Sequence, residues 1–260
     1  MANRKDSASK PVIVIVPGSF SPASLYQNII DELQAAGYEA TTIDLPTVGD
    51  SKKASGVTLN DDAVAIQGVL AEFADEGKDI ILVTHSYGGI AGAEGAKGFA
   101  KKDREAGGKK GGIVRMVYVT ALVAQVGQSL TDVMAPYAPS QLQVKDGHMT
   151  LDPLPNTRAC FPELSETEGL KWTARMPGHS ATSFTDKATY PAYKFIPMSY
   201  MLCETDLVIP PKYQRSMVEM VEKESGRPVD VHSYAIGHAP NVTMPEAMVE
   251  TIRRAAGEVL

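Results

Sequence analysis

The sequence predicts an α/β protein with a doubly wound, mainly parallel sheet and an inserted helical cap. Short apolar runs, the first at 11–16, alternate with amphipathic helical patterns. Such runs suit strands that are buried on both faces of a parallel sheet. The alternation stops between about 124 and 195 and then resumes. Because a structureless loop of that length is improbable inside a compact domain, we expect this segment to fold as a cap.

The first half of the chain alternates four strands with three helices. The predicted strands are 11–16, 39–43, 80–83 and 113–119, and the predicted helices are 25–33, 58–77 and 90–105. The second helix is expected to begin at Thr58, because threonine side chains accept hydrogen bonds from the first turn of a helix. Strands that alternate with helices imply right-handed crossovers and a mainly parallel sheet.

The predicted cap, 124–195, contains seven prolines and no clear strand, and its helical stretches are expected at 129–134 and 163–176. Alternation then resumes with strands at 198–203 and 229–234 and helices at 211–223 and 245–256. We therefore predict one α/β core formed by 11–123 and 196–260, with the cap inserted between its two parts.

The composition excludes several classes of protein. With 43% hydrophobic and 22% charged residues the chain has the composition of a soluble globular enzyme, and its net charge of −6 argues against nucleic acid as a partner. No apolar run approaches the ~20 residues that span a membrane, and the polar N-terminus lacks a signal-peptide core, so we expect a cytoplasmic protein. Two cysteines, Cys160 and Cys203, form neither a disulfide framework nor a metal site, and we expect no cofactor.

The most informative segment is Ile80–Gly89, in which an apolar run leads directly into Ser86 and small residues follow it. A serine at a sharp strand-to-helix turn presents its hydroxyl above the sheet, where a base and a substrate carbonyl can reach it. The turn requires small residues two positions before and after the serine. Gly88 meets this requirement, and Thr84 meets it only in part.

A serine hydroxyl becomes a nucleophile when a base takes its proton, and a third group must hold that base in the right tautomer. Of five histidines, His238 follows the last predicted strand, where the loops of a parallel sheet gather functional groups. His85 is expected to be structural rather than catalytic, and His232 packed or exposed. His148 and His179 fall in the predicted cap, where they could line a pocket, but exposure is the favoured interpretation for both.

Asp206 follows the penultimate strand and is the preferred acid, with Glu204 as its competitor. A lone aspartate in such a loop is usually a helix cap. The order serine, aspartate, histidine, each after its own strand, makes the catalytic interpretation much stronger than any single residue does.

Hydrolysis through a serine also needs two backbone N–H donors for the oxyanion. One is expected from Tyr87, which follows the nucleophile at the start of a helix. The other is expected from the loop after the first strand, at Ser19 or Phe20, where Gly18 lets the backbone turn inward.

These residues together resemble the α/β-hydrolase superfamily over the whole chain from Pro11 except the cap. The matching segments are Val16-Pro-Gly-Ser-Phe20, Thr84-His-Ser-Tyr-Gly-Gly89, Glu204-Thr-Asp206 with Ile209-Pro210, and Gly237-His238-Ala-Pro240. In detail the chain is similar to the small-cap esterases that include plant methyl esterases and hydroxynitrile lyases. Those relatives usually carry His-Gly at the position of Pro17-Gly18 and glycine at that of Thr84.

The leading functional prediction is a serine hydrolase that cleaves a carboxylic ester or lactone of a small to medium apolar substrate through an acyl-enzyme. The alternative is carbon–carbon bond hydrolysis or lyase chemistry on the same residues, with His238 acting on the substrate itself. Hydroxynitrile lyases typically carry threonine in the first oxyanion loop and a lysine near the acid or base, where this chain has Ser19 and Ala239. A non-catalytic ligand-binding protein is disfavoured. Relatives of that kind typically lack the serine, aspartate and histidine or no longer use them, whereas this chain has all three.

The substrate pocket is expected to be apolar. Its candidate lining residues are Leu122 in the core and Tyr137, Trp172 and Met176 in the cap. The expected partner is a small-molecule ester or lactone, with no nucleic acid and no membrane. The sequence leaves open whether the chain is a monomer or a homodimer.

Overall fold

The computed structural model describes residues 10–137 and 142–260. In chain order the strands are β1 (Val12–Val16), β2 (Ala40–Thr42), β3 (Asp79–His85), β4 (Gly112–Val119), β5 (Leu142–Lys145), β6 (His148–Leu151), β7 (His179–Ser180), β8 (Met198–Cys203) and β9 (Asp230–Tyr234). Six of them form one sheet in the order β2-β1-β3-β4-β8-β9, and every pair in it is parallel. The predicted α/β class with a parallel sheet is confirmed.

The helices in chain order are α1 (Gln27–Ala35), α2 (Ser51–Ala54), α3 (Leu59–Asp75), α4 (Gly88–Gly95), α5 (Lys101–Ala106), α6 (Leu130–Met134), α7 (Pro153–Cys160), α8 (Glu166–Thr173), α9 (Thr182–Thr185), α10 (Pro211–Ser225), α11 (Pro240–Thr243) and α12 (Pro245–Ala255). Short 3₁₀ turns occupy Ala23–Tyr26 and Ala192–Lys194. Within the described residues, no helix combines the length and the apolar character that a membrane span needs.

The inner strands β1, β3, β4 and β8 are buried on both faces of the sheet, which explains why they are apolar at consecutive positions. In β1, Val14 belongs to the cluster that α3 and α10 cover, whereas its neighbours Ile13 and Ile15 belong to the cluster that α1 and α12 cover. Successive side chains of a strand point to opposite faces, so one strand supplies both cores.

The helix α3 begins as the sequence predicts. The Thr58 hydroxyl accepts a hydrogen bond from the Asp61 N–H at 3.2 Å, and the Asp61 carboxylate accepts one from the Thr58 N–H at 2.8 Å. This reciprocal cap fixes the first turn and places the next residue, Asp62, inside the protein, where it is completely buried.

One predicted helix, 90–105, is divided into α4 and α5. Gly98 adopts a left-handed conformation with φ of +85° between the two helices, and Ala100 forms a bridge to Ile113 at the start of β4. The sequence predicts one continuous helix over 90–105, but a residue with positive φ ends a right-handed helix.

The segment 124–195 is not purely helical. It contains α6 to α9, and also β5, β6 and β7, which pair antiparallel to form a second sheet. The expectation that this segment holds no strand is therefore wrong. Asp146 and Gly147, which join β5 to β6, have φ of +51° and +75°, and an Asp-Gly pair is a known hairpin signal.

The second sheet is attached to the core through β7. His179 forms a bridge with Val48, and the Ser180 N–H donates to the Thr47 carbonyl at 2.9 Å. The division into a core and an inserted cap remains a prediction, but these contacts bring the segment close to the ends of the core strands.

Candidate active site

The loops that follow β1, β3, β8 and β9 lie at one edge of the sheet, because all four strands are parallel. These loops carry Ser19, Ser86, Asp206 and His238. The carboxyl edge of a parallel sheet is where α/β proteins bind their ligands, and the fold therefore brings together residues far apart in the sequence.

Ser86 stands on a tight turn between β3 and α4, with φ of +53°. A Cβ at Gly88 would lie 2.5 Å from the Pro17 carbonyl oxygen, so only glycine allows α4 to start this close to the end of β1. A Cβ at Gly18 would lie 3.1 Å from the Ser86 Cβ, which keeps the first loop equally close to the serine. This geometry is the strained strand-to-helix turn that exposes a nucleophile.

Thr84, at the position where the resembled esterases carry glycine, is accommodated by Gly92 on the facing side of α4. A Cβ at Gly92 would lie 2.5 Å from the Thr84 Cγ2. The Thr84 hydroxyl is satisfied by the Val117 carbonyl at 3.4 Å, and the side chain is fully buried. The larger residue therefore fits without changing the turn, because its methyl group occupies the space that the glycine leaves.

Ser86, His238 and Asp206 form a continuous hydrogen-bonded chain. The His238 Nε2 lies 3.0 Å from the Ser86 Oγ, and the His238 Nδ1 lies 2.8 Å from the Asp206 Oδ2. All three residues are buried. The Nδ1 faces a carboxylate, so it carries the ring proton, and the Nε2 is free to accept the proton of the serine.

Asp206 is held by its surroundings from every side. Its Oδ1 accepts the N–H groups of Val208 and Ile209 at 2.7 and 2.9 Å, while its Oδ2 accepts the Thr120 hydroxyl at 2.5 Å besides the histidine. Together these donors satisfy the buried carboxylate, which fixes the direction in which it meets His238.

Glu204, the competing acid, points away from this chain. It pairs with Arg215 at 2.5 Å and accepts the Ser233 hydroxyl, and these two hydrogen bonds lower the pKa of its carboxyl group. The side chain is partly exposed at the surface, so its carboxylate is not directed at His238.

The candidate oxyanion donors are the backbone N–H groups of Ser19, Phe20 and Tyr87, and they differ in whether they already donate a hydrogen bond within the protein. Among the hydrogen bonds of the described residues, none uses the N–H of Ser19 or that of Tyr87. The Phe20 N–H instead donates to the His179 Nδ1 at 3.4 Å, with Phe20 held at φ of +59°. Because unpaired backbone N–H groups are rare inside proteins, the free pair is the better candidate, and Phe20 is not.

The side chain of Tyr87 is anchored away from the cavity. Its hydroxyl donates to the Asp62 carboxylate at 2.7 Å, and the Thr47 hydroxyl donates to the same oxygen at 2.7 Å. Burial raises the pKa of Asp62 to about 6, and these hydrogen bonds oppose the rise. The anchor fixes the residue whose backbone N–H lies beside Ser86.

An apolar cavity of about 170 Å³ opens above Ser86 and His238. Of the predicted lining residues, Leu122 and Met176 border it, and so do Ser19 and Phe20. Among the described residues that line it, the titratable side chains are His85, His238 and Cys160, and none is a lysine, an arginine or a carboxylate. The cavity is thus suited to an uncharged group.

The prediction that Tyr137 and Trp172 line this cavity is wrong. The ring of Tyr137 stacks on Tyr213 with 4.1 Å between centroids, and the ring of Trp172 lies under the Arg175 guanidinium at 4.5 Å. Both rings are directed into packing contacts beside the cavity, and helical spacing alone could not distinguish the two cases.

Two further histidines, expected to be exposed, are both buried. His179 is completely buried between Phe20 and Tyr87, with centroids 5.3 and 4.9 Å away, and burial lowers its pKa to about 3. His148 lies 2.9 Å from the Gly49 carbonyl. The hairpin signal at 146–147 is the sequence feature that could have placed His148 on a folded sheet, whereas no local signal marks His179.

Neither of the two cysteines is paired, and both are buried. Within the described ranges, His, Cys, Asp and Glu side chains form no group of three that could hold a metal ion.

Comparisons with known proteins identify the family to which this chain belongs. Residues 13–251 match the model of the alpha/beta hydrolase family. The chain is 32% identical over 254 residues to the alpha/beta hydrolase nvfD of Aspergillus novofumigatus, covering 96% of this chain and 98% of that protein.

Two solved structures share the fold. A pyrethroid hydrolase from Sphingobium faniae JZ-2 is 22% identical with a TM-score of 0.70, covering 96% of this chain and 98% of its own. The methylesterase MES16 from Arabidopsis is 19% identical with a TM-score of 0.71, covering 95% and 99%. The match of nearly the whole chain to the family model, together with the relative above 30% identity, shows that this protein belongs to the alpha/beta hydrolase family.

Proposed function

We propose that the protein hydrolyses a carboxylic ester or lactone with a small to medium apolar group, through an acyl-enzyme on Ser86. The observation that carries this proposal is the hydrogen-bonded chain from Ser86 through His238 to Asp206 at the floor of an apolar cavity. A neutral serine needs both of the other groups to become a nucleophile, and both lie at hydrogen-bond distance.

In the first half of the reaction, the Ser86 Oγ attacks the carbonyl carbon of the ester while His238 Nε2 takes the hydroxyl proton. The N–H groups of Ser19 and Tyr87 stabilise the oxyanion that forms. The carbon–oxygen bond to the alcohol then breaks, and His238 returns the proton to the departing alcohol. Asp206 stabilises the imidazolium throughout and keeps its own charge.

In the second half, a water molecule gives a proton to His238 and attacks the acyl carbon. The bond to Ser86 breaks, the serine regains the proton, and the carboxylic acid leaves. The net change is ester plus water to acid plus alcohol, or lactone plus water to hydroxy acid.

The cavity supports an apolar, uncharged substrate of limited size. Engineered cavities of about 150 Å³ bind benzene, so a cavity of about 170 Å³ holds one ring or a short alkyl chain. No cation lines it in the described residues, so a buried carboxylate on the substrate would lack a partner. A neighbour named as a methylesterase and another named as a pyrethroid hydrolase also support ester chemistry.

The test combines trapping with a matched set of esters. We expect a fluorophosphonate to label Ser86 with one-to-one stoichiometry, and p-nitrophenyl butanoate and octanoate to react faster than the palmitate. The mono-p-nitrophenyl ester of succinic acid, in which a carboxylate replaces the terminal methyl group of the butanoate, is expected to react at least tenfold more slowly. A panel of lactones assayed alongside separates the two substrate classes.

The alternatives predict other outcomes. An unlabelled Ser86 in a well-folded protein would favour a ligand-binding protein, and labelling without turnover of any ester or lactone would favour carbon–carbon bond cleavage. No lysine borders the cavity in the described residues, which gives the hydroxynitrile-lyase version no additional support.

The size of the cavity can be altered at Met176. We expect Met176→Ala to shift the ratio of kcat/KM for octanoate over butanoate upward by roughly tenfold, because one methylene in an apolar pocket is worth about 1–3 kcal/mol. Trp172→Phe is the control, since Trp172 lies in α8, close to Met176 in the sequence, but does not border the cavity. Equal substrate rankings in Met176→Ala and the parent protein would mean that other residues set the chain length.

A further inference from the structure

Three loops that carry the reacting groups meet on one buried imidazole that the proposed mechanism does not use. The His85 Nε2 lies 2.8 Å from the carbonyl oxygen of His238, and its Nδ1 lies 2.6 Å from the Tyr26 hydroxyl. That hydroxyl also accepts the Gly18 N–H at 3.1 Å. His85 itself is the residue before Ser86, so the imidazole joins the first loop, the serine turn and the histidine loop.

The hydrogen-bond partners assign the protons of this network. A carbonyl oxygen can only accept, so the Nε2 of His85 carries the proton and the Nδ1 accepts the proton of Tyr26. The Tyr26 oxygen in turn accepts from Gly18. Each donor and each acceptor in these three contacts therefore has one partner among the three. Burial together with the nearby His238 lowers the pKa of His85 to about 3, so the ring remains neutral during turnover.

The arrangement excludes His85 as a base in the reaction. Both of its nitrogens are engaged, and its ring centre lies 5.1 Å from that of His238, whereas His238 alone lies within hydrogen-bond distance of the Ser86 Oγ. What His85 controls is position. Its Nε2 contacts the main-chain carbonyl of His238, and its Nδ1 is linked through the Tyr26 hydroxyl to the N–H of Gly18, the residue before Ser19.

We propose that His85 is a positioning residue that fixes His238 and the Ser19 N–H relative to Ser86, with Tyr26 as the intermediate to the first loop. The proposal rests on the proposed ester hydrolysis. A displacement of about 1 Å in a reacting group can reduce a rate by about 10²-fold, so a residue that holds two such groups has a large effect without bonding to the reacting atoms.

A matched pair of amides tests the two contacts separately. The amide nitrogen of glutamine lies near the Nε2 position and can still donate to the His238 carbonyl, whereas asparagine reaches only the Nδ1 position. We expect His85→Asn to reduce kcat for p-nitrophenyl butanoate by about 10²-fold with KM within twofold of the parent. His85→Gln is expected to recover kcat to within about tenfold of the parent.

Two further measurements separate positioning from loss of stability. The low-field proton resonance of the His238–Asp206 hydrogen bond should be present in the parent protein and in His85→Gln, and lost or broadened in His85→Asn. This readout needs no substrate, so it tests the positioning role even if the protein hydrolyses none of the esters. Tyr26→Phe, which removes one hydroxyl, is expected to reduce kcat about tenfold at unchanged KM. This variant replaces His85→Asn as the test of the proposal if His85→Asn does not fold.

The proposal is overturned if His85→Asn keeps kcat within threefold of the parent, or if the asparagine and glutamine variants lose activity equally and in proportion to their melting temperatures. An unchanged low-field resonance in a folded His85→Asn protein overturns it as well. If His85→Asn does not fold, the proposal is overturned by a Tyr26→Phe protein whose kcat equals that of the parent.

Discussion

Replacing Ser86 with alanine is expected to reduce ester hydrolysis by about 10⁴-fold or more while the protein remains folded. The Oγ is the atom that forms the acyl-enzyme, and its one hydrogen bond in the site is to His238. Alanine lacks that oxygen and otherwise fits the same backbone conformation. Steady-state rates with p-nitrophenyl butanoate, together with thermal unfolding, measure both parts of this prediction.

The control is Ser216→Ala on the exposed side of α10, where the Ser216 hydroxyl donates to the Tyr213 carbonyl of the same helix. Its rate should equal that of the parent protein. A Ser86→Ala protein that retains more than a tenth of the parent rate would show that the serine is not the nucleophile.

Asp206→Asn is expected to reduce kcat by roughly 10³- to 10⁴-fold, against a change of less than about threefold for Glu204→Gln. The two variants form a matched pair, because each replaces a carboxylate with an amide of the same size in the loop after β8. The amide introduced by Asp206→Asn would present an NH₂ group to donors that now point at an oxygen, and it would favour the wrong tautomer of His238. Glu204 forms surface contacts with Arg215 and Ser233 only.

The two variants should also differ in the rate at which a fluorophosphonate labels Ser86. We expect slow labelling in Asp206→Asn and parent-like labelling in Glu204→Gln. Equal losses in both variants, or a larger loss at Glu204, would transfer the role of the acid to Glu204.

The core of the fold follows from patterns that the sequence displays directly. All six strands of the parallel sheet overlap predicted strands, and the four inner strands β1, β3, β4 and β8 carry the apolar signature that burial on both faces produces. The order of Ser86, Asp206 and His238 after successive strands also needs no tertiary information, since parallel strands end at one edge.

What could not be predicted depends on contacts between distant segments. The three strands of the second sheet have two to four residues each, so the alternation of apolar and polar residues in β5 and β6 covers only two apolar positions per strand and is too short to mark them. Met176 borders the cavity while Trp172 does not, although both belong to the same predicted helical stretch. The side of a short helix that faces a cavity is set by its neighbours, which the local sequence does not contain.

The burial of His179 shows the same limit. Its Nδ1 accepts the Phe20 N–H, and its ring packs beside Tyr87, so both candidate oxyanion loops contact one residue from the 124–195 segment. No spacing rule joins residues 20, 87 and 179. They come together where β7 meets the loop at Val48, through the bridge between Val48 and His179 and the hydrogen bond from the Ser180 N–H to the Thr47 carbonyl.

The fit between Thr84 and Gly92 restricts the order in which this turn can change during evolution. A chain with glycine at both positions can acquire Thr84 in one step, because the space for its methyl group is already present. A chain that has first gained alanine at 92 cannot, since that Cβ would lie 2.5 Å from the Thr84 Cγ2. The two positions therefore constitute an epistatic pair, in which each substitution is tolerated alone and the double change is not. Homologues that enlarge the residue before the His-Ser pair should retain glycine on the first turns of the following helix.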